Sequence, residues 1–247
     1  MKSKTRLDVA LVDRGLVPSR ERARALILAG QVKVDGAVVS KAGTSVATDA
    51  EVELAIPDHP YVGRGGVKLA HALDVFGIEV AGRRALDIGA STGGFTDVLL
   101  QRGAASVIAL DVGRGQLDWR LRHDPRVLVR ERFNARTLVP DDLPHAIDIV
   151  VIDVSFISLH HIFPQLPALL DVGADIVALV KPQFEAGRAE VGKGGLVTDP
   201  SVHASVIARV TAEAAANRLE RVNMTPSPIT GATGNQEFFL HLRARSA

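Results

Sequence analysis

The sequence contains no cysteine among its 247 residues. Disulfide bonds, thiolate zinc sites and cysteine nucleophiles are therefore excluded in one step. The formal net charge is also small, +1 at pH 7, so overall charge does not indicate the kind of partner. The chain does contain 47% hydrophobic residues, which is enough to bury one sizeable core with a small second domain beside it.

Long apolar runs are missing as well. Runs such as Ile149–Ile152 are far shorter than the ~20 residues that a membrane-spanning helix requires. Residues 1–14 are charged and lack the apolar h-region of a secretory signal. We therefore expect a soluble, cytoplasmic protein.

Charge is unevenly distributed along the chain. Residues 1–45 contain nine lysines and arginines against four acids, so the remainder is net acidic. A basic segment in front of an acidic one indicates that the amino-terminal part is the place to look for a polyanion-binding surface.

The first 60 residues predict a small α/β unit. The capping-box pattern that starts at Thr5 predicts a first helix, and Ser19 is a typical N-cap for a second. Arg20 and Arg24 lie one turn apart on a face of that second helix. Residues 31–39 alternate in polarity around an Asp-Gly turn, which predicts a hairpin.

After residues 57–63, which contain two prolines and a glycine, the pattern changes. Short β-branched runs alternate with helix-like stretches, which is typical of a parallel sheet covered by helices on both faces. We predict an α/β fold in which a Rossmann-like sheet follows the small α/β domain, with domains at 1–60 and 65–247 and a linker at 61–64. The predicted strands are 85–88, 107–110, 127–129, 147–152, 176–180 and 237–242, and the clearest helices are 94–101, 158–170 and 201–217.

A glycine-bearing loop follows the first of these strands. Residues 87–95 have neither the Gly-x-Gly-x-x-Gly spacing of dinucleotide sites nor the Gly-Lys-Ser/Thr of a P-loop. Glycines let the backbone approach a ligand closely, and S-adenosylmethionine (SAM) is a nucleoside ligand without a phosphate to be cradled. Asp111 ends the next strand, where a carboxylate can bind both hydroxyls of an adenosine ribose. The alternative is a tight turn that binds nothing.

Five ordered motifs span residues 64–185. They are Arg64-Gly65-Gly66-x-Lys68-Leu69, Asp87 to Thr96, Asp111-Val112-Gly113-x-Gly115-Gln116-Leu117, Asp153-x-Ser155-Phe156-Ile157-Ser158-Leu159 and Lys181-Pro182-Gln183-Phe184-Glu185. Together they resemble the TlyA family of ribosomal RNA 2′-O-methyltransferases, whose older name is hemolysin. The amino-terminal part is similar to the RNA-binding domain of ribosomal protein S4, and the remainder to the FtsJ-type methyltransferase fold.

That resemblance implies a catalytic tetrad of Lys68, Asp153, Lys181 and Glu237. A ribose hydroxyl is a weak acid, so its attack on a methyl group needs a stabilised alkoxide and a proton acceptor. Lys181 and Asp153 each follow an apolar run and are expected at the ligand-binding edge of the sheet. Taken singly, Lys68 or Glu237 could equally be a solvated charge and Asp153 a helix cap, and the sequence leaves open which lysine is the base.

The resemblance also implies the ligands: SAM as the cofactor, no metal, and ribosomal RNA or a ribosomal subunit as the partner. The amino-terminal bases are expected at RNA phosphates, although any one of them could merely keep a small domain soluble. The implied or predicted SAM contacts are Asp87, Gly89, Ala90, Ser91, Gly93, Gly94, Phe95, Asp111 and Asn134, and the RNA contacts are Lys4, Arg6, Arg14, Arg20 and Arg24.

Two features favour oxygen as the methyl acceptor. Enzymes that methylate exocyclic amines usually carry Asn/Asp-Pro-Pro-Tyr/Phe where this chain has Asp153-Val154-Ser155-Phe156, and pyrimidine C5 methylation normally uses a cysteine. The resemblance implies cytidine in 23S rRNA, and in some members also 16S rRNA. Two alternatives are a membrane-active hemolysin, which the lack of a spanning segment disfavours, and an inactive ribosome-binding module, which the intact tetrad positions disfavour.

Overall fold

The computed structural model of the protein describes residues 4–55 and 58–245. Contacts between residues divide the chain into two units, Met1–Pro60 and Tyr61–Ala247. Within the described ranges, no helix combines the length and the apolar character needed to cross a membrane.

The smaller unit packs two helices against short strands. Its core consists of eight buried side chains: Leu7, Ala10, Leu11, Val17, Ala23, Ile27, Val32 and Val46. Strands β1 and β4 pair with each other, and β3, β2 and β5 form a three-stranded sheet in that order. The elements are β1 (Lys4–Arg6), α1 (Leu7–Asp13), α2 (Arg20–Leu28), β2 (Val32–Val34), β3 (Ala37–Val38), β4 (Ser45–Ala47) and β5 (Val52–Leu54).

Two local predictions for this unit are confirmed and one is wrong. Ser19 Oγ accepts a hydrogen bond from the Arg22 N–H and caps α2. The β2–β3 hairpin turns through Asp35 and Gly36, both with positive φ as a type I′ turn requires. Thr5 does not cap α1, because its backbone lies in β1 and pairs with Val46 of β4.

The larger unit is a seven-stranded sheet in the order β11-β12-β10-β9-β6-β7-β8. Strands β6 to β10 are parallel to one another, and β12 runs antiparallel to both β10 and β11. The elements are α3 (Arg64–Phe76), β6 (Arg84–Ile88), α4 (Gly94–Gln101), β7 (Ser106–Asp111), α5 (Trp119–Arg122), β8 (Val127–Glu131), β9 (Ile147–Ile152), β10 (Leu170–Val180), α6 (Pro182–Glu185), α7 (Pro200–Ala216), β11 (Leu219–Pro226) and β12 (Phe238–Ala244).

Helices cover both faces of this sheet, as the sequence pattern predicts. In β9, Val150 and Ile152 face a core that includes residues of α7, while Ile149 and Val151 face a second core that includes α3 and α4. From Ile149 to Ile152 the side chains therefore alternate between the two cores, and both faces of this strand are covered.

The structure differs from the sequence-based prediction of secondary structure at two places. Residues 158–170 form two short 3-10 helices, Leu159–His161 and Phe163–Ala168, because prolines within the second remove backbone donors that an α-helix needs. Strand β11 was not predicted, since it is a mostly exposed edge strand without alternating polarity. Residues 61–64, suggested as a linker, lie in the larger unit, where Tyr61 and Val62 pack on its core.

Candidate functional site

Three of the four tetrad residues lie at the ends of adjacent strands. Asp153 follows β9 and Lys181 follows β10, while Glu237 directly precedes β12. Val180 pairs with Phe238 across β10 and β12, which are antiparallel, so the end of one strand meets the beginning of the other. Strands β9 and β10 are parallel, and their carboxyl ends lie at that same edge of the sheet.

Lys181 and Asp153 form one charge pair at this edge. Lys181 Nζ lies 2.6 Å from Asp153 Oδ1 and donates a hydrogen bond of 2.8 Å to Ser155 Oγ. The Lys181 side chain is only 11% exposed, so its ammonium is held by two neighbours rather than by bulk water. Sequence reasoning did not single out Ser155, although its place two residues after Asp153 in the fourth motif was a usable signal.

Lys68 and Glu237 form the second pair. Lys68 lies within α3, and its Nζ donates a hydrogen bond of 2.5 Å to Glu237 Oε2. The two side chains are 9% and 3% exposed, so neither is the solvated surface charge that its residue type suggests. Burial of both charges is expensive unless they are paired, and each therefore depends on the other.

A cavity of about 1180 Å³ includes Asp153 and Ser155 in its wall, whereas Lys68, Lys181 and Glu237 do not line it. Four predicted SAM contacts line it: Gly89, Ser91, Asp111 and Asn134. Other parts of the wall are apolar and suit a flat ring system; these are Ile88, Leu110, Val112, Phe133 and Ile162.

Asp111 organises the loop at the mouth of this cavity. Its Oδ2 accepts a hydrogen bond of 2.8 Å from the Ser91 N–H, and its Oδ1 accepts one of 2.6 Å from the Gly113 N–H. A carboxylate oxygen has a second lone pair, so both oxygens retain acceptor capacity for hydroxyl donors. Asn134 is partly committed, because its Oδ1 accepts from the N–H and Nε of Arg136.

Four other predicted SAM contacts do not line the cavity. Ala90 is buried in the core on the α3 and α4 side, and Phe95 packs there against Phe239 with ring centroids 6.2 Å apart. A Cβ on Gly93 would lie 2.3 Å from a Leu121 methyl group, and a Cβ on Gly94 would lie 2.9 Å from the Gly66 nitrogen. These four positions pack the loop against the neighbouring helices, and this packing role is the alternative to contact with a ligand.

Asp87 is fully buried and also does not line the cavity. Its Oδ2 accepts a hydrogen bond of 2.6 Å from Thr96 Oγ1, while its Oδ1 has no hydrogen-bond partner among the described residues. Burial raises the pKa of Asp87 to about 7, and the charges of Asp153 and Asp111 add to the rise.

Sequence reasoning missed several side chains at the cavity wall. One is Phe156, which is 90% exposed, has a backbone φ of 62° and packs its ring on Phe184 with centroids 4.9 Å apart. Arg136, His161 and Arg188 also line the wall. None of these lies in a pattern that composition or periodicity distinguishes from an ordinary surface.

In the smaller unit, three of the predicted RNA contacts converge on one carboxylate. Arg6 lies 2.9 Å from Asp8 Oδ1, and Arg20 and Arg24 lie 3.1 and 3.2 Å from Oδ2. Asp8 is completely buried, and hydrogen bonds from Arg6 above all hold its pKa well below the usual range. The three arginine side chains remain about half exposed, so three positive charges share one negative charge at the surface.

The other two predicted RNA contacts lie outside this arginine cluster. Lys4 is exposed on β1. The guanidinium of Arg14 donates to the carbonyl oxygens of Ala50 and Thr48, which partly occupies it with the fold of the unit.

Comparison with known proteins gives two family matches. A model described as an S4 domain matches residues 5–52, and one described as an FtsJ-like methyltransferase matches residues 61–244. A 16S/23S rRNA (cytidine-2′-O)-methyltransferase TlyA of Mycobacterium tuberculosis is 49% identical over 247 residues, covering 100% of this chain and 92% of the relative.

Two solved structures are similar. One from Streptococcus thermophilus, which carries a hemolysin name, has a TM-score of 0.79 at 43% identity and covers 100% of this chain and 90% of its own. An S-adenosylmethionine dependent methyltransferase from Mesorhizobium loti has a TM-score of 0.54 at 15% identity, with 73% of this chain and 100% of that one covered, a likeness of fold alone.

Proposed function

Because this chain belongs to the TlyA family of FtsJ-like methyltransferases, we propose that it transfers a methyl group from SAM to a ribose 2′-hydroxyl of ribosomal RNA. The observation that carries the proposal is the ion pair of Lys181 with Asp153, a residue that lines the same cavity as Asp111. The proposed acceptor is a cytidine of 23S rRNA, with 16S rRNA as a second substrate because the M. tuberculosis relative is named for both.

The proposed division of labour follows the two units. Residues 1–60 bind RNA, residues 65–247 bind SAM and carry the chemistry, and 61–64 join them. Ribosomal RNA as the substrate makes the cytoplasm the proposed place of action.

The residues at the cavity fit a nucleoside cofactor. Asp111 offers acceptors for two ribose hydroxyls, Asn134 lies on the same wall, and apolar side chains such as Leu110 and Phe133 suit an adenine face. Ser91 and Gly89 would bring backbone close to the ligand. When bound, SAM supplies a methyl carbon made electrophilic by the neighbouring sulfonium.

Lys181 and Asp153 act on the acceptor hydroxyl. SAM, held by Gly89, Ser91 and Asp111, would supply the methyl carbon to the hydroxyl oxygen, and its sulfur would leave with the electron pair of the carbon–sulfur bond. The ammonium of Lys181 stabilises the charge that develops on the oxygen. The hydroxyl proton passes to the Asp153 carboxylate, the one group of the pair that can accept a proton while Lys181 is an ammonium. Ser155 and Asp153 hold Lys181 Nζ in place, so little reorganisation is needed at the moment of reaction.

Lys68 and Glu237 support this pair from the neighbouring strand end. Their mutual neutralisation lets two charges stay buried beside the site, and the 2.5 Å hydrogen bond joins α3 to the start of β12. We assign them to positioning of the ribose and to the balance of charge at the sheet edge.

The test separates cofactor binding from transfer. Lys181→Ala should abolish transfer of labelled methyl to ribosomal subunits while SAM affinity, measured by calorimetry, stays within several-fold of wild type. Asp111→Ala should weaken SAM binding itself. The exposed Lys193 provides a matched control, and Lys193→Ala should change neither quantity. Methyl transfer retained by Lys181→Ala would refute the role assigned to Lys181. Mass-spectrometric mapping of 2′-O-methyl groups in the rRNA identifies the methylated nucleotide.

A salt series tests the proposed RNA surface. The double change Arg20→Ala with Arg24→Ala should weaken rRNA binding and lower the slope of log affinity against log salt by roughly one to two units. Arg6 still pairs with the buried Asp8 in this variant, so the carboxylate keeps a partner. Arg221→Ala with Arg245→Ala removes the same charge from the larger unit as a control. Equal salt slopes for the two double variants would show that this helical face is not the RNA surface.

A further inference from the structure

Hydrogen bonds fix the loop that follows Asp153 at two points. We name residues 154–158 the β9 loop. Near its beginning, Ser155 Oγ accepts the hydrogen bond from Lys181 Nζ. At its end, Ser158 Oγ donates a hydrogen bond of 2.5 Å to Glu185 Oε2, and the N–H of Leu159 donates one of 2.9 Å to Glu185 Oε1.

Both anchors come from one short segment. Helix α6, Pro182–Glu185, begins directly after Lys181, so the reacting lysine and the carboxylate that holds the far end of the loop lie one helical turn apart. The guanidinium of Arg209, on α7, binds the backbone oxygen of Glu185 and fixes the end of α6. Burial removes water from the Glu185 carboxylate and raises its pKa, and two donors from the loop take the place of water as its hydrogen-bond partners.

Between the anchors the loop is held in an unfavourable conformation. Phe156 has a φ of 62°, which a residue with a bulky side chain adopts only when its surroundings impose it. Its ring is 90% exposed at the cavity wall and contacts Phe184 of α6. Without the hydrogen bonds to Glu185, fewer contacts would hold the loop in this conformation, and Ser155 would no longer be confined beside Lys181.

We propose that Glu185 is a positioning residue for the acceptor side of the site: its carboxylate fixes the β9 loop so that Ser155 stays against Lys181 and Phe156 stays at the cavity wall. This rests on the proposed methyl transfer. Glu185 does not line the cavity, and no hydrogen bond links it to Asp111 or Gly89 on the cofactor side. It therefore acts through the loop and Lys181.

The experiment compares five full-length variants with wild type. Glu185→Ala should lower kcat/KM for ribosomal subunits by about 10- to 100-fold, the range expected for a small misplacement of reacting groups. SAM affinity and the melting temperature should stay near the wild-type values. Glu185→Gln keeps an acceptor for Leu159 and a donor to Ser158, so it should recover most of the loss. Glu190→Ala is the control, because within the described part of the chain the Glu190 carboxylate accepts one hydrogen bond, from Gly187 in its own exposed turn.

Ser158→Ala and its combination with Glu185→Ala complete a double-mutant cycle. If the Ser158 side chain acts only through its hydrogen bond to Glu185, kcat/KM of the double variant should be no lower than that of Glu185→Ala alone. Wild-type kcat/KM in Glu185→Ala overturns the inference, and so does a loss of SAM affinity that Glu185→Gln fails to restore. If Glu185→Ala does not fold, the kcat/KM values of Ser158→Ala and Glu185→Gln still test the positioning role of Glu185. Absence of transfer by the wild-type protein would instead refute the proposed function.

Discussion

Replacing Asp87 by asparagine is expected to stabilise the larger unit at neutral and alkaline pH. The Asp87 carboxyl is fully buried, and it accepts a hydrogen bond from the side chain of Thr96 through Oγ1. Burial, with a smaller effect of the charges on Asp153 and Asp111, raises its pKa from 3.8 to about 7. Asparagine has nearly the same shape, keeps an acceptor for Thr96 and never ionises.

The size of the effect follows from the shift in pKa. The folded pKa lies above the unfolded one, so the folded protein is penalised as pH rises from about 4 towards 7, and the penalty is constant above that. Each unit corresponds to about 1.4 kcal/mol, which gives about 4 kcal/mol for the full shift. The buried amide of asparagine loses roughly 1–3 kcal/mol through its unsatisfied donor. That loss does not depend on pH, so the advantage of Asp87→Asn should grow by about 3 kcal/mol between pH 5 and pH 8.

Urea denaturation of the full-length protein without SAM measures this difference. Trp119 is the single tryptophan and lies in α5, so its fluorescence reports on the larger unit. Asp141→Asn, a change of an exposed acid, is the control. If the free energies of unfolding of wild type and Asp87→Asn differ by the same amount at pH 5 and pH 8, Asp87 is not held protonated by burial and the reasoning fails.

Three further changes test other parts of the structure. Lys68→Met leaves Glu237 buried without its partner and should lower the free energy of unfolding by about 3–5 kcal/mol. Glu237→Gln should lower it by less, and denaturation at pH 7.5 checks this order. Gly89→Ala should reduce SAM affinity more than about tenfold by calorimetry, because φ is 89° and a Cβ would lie 2.3 Å from the Asp153 carbonyl oxygen. Asp8→Asn should destabilise the smaller unit at pH 7; since the folded pKa of Asp8 is lowered, the wild-type advantage, followed by circular dichroism, should vanish as pH falls well below about 4.

Local sequence patterns were sufficient for much of the fold. The predicted helix 94–101 is confirmed, and 201–217 differs from the observed helix by one residue at each end. Apolar runs before Asp153 and Lys181 place both at a strand end, which the structure confirms. The helix predicted at 158–170 is wrong because the prediction weighed apolar spacing above two prolines. Strand β11 was missed because its only strong determinant is pairing with β12, a contact that no local pattern contains.

The sequence by itself determined the division into a basic amino-terminal unit and an alternating α/β unit, the glycine loop after β6, and which residues end the buried strands. These depend on periodicity, turn residues and charge, which are local properties of the chain. Only the tertiary structure decided that Lys68 pairs with Glu237, that Ser155 accepts from Lys181, and that Arg20 and Arg24 reach Asp8. Each of these contacts joins segments that are separate in the chain, and it exists because strand order and helix packing bring them together and exclude water.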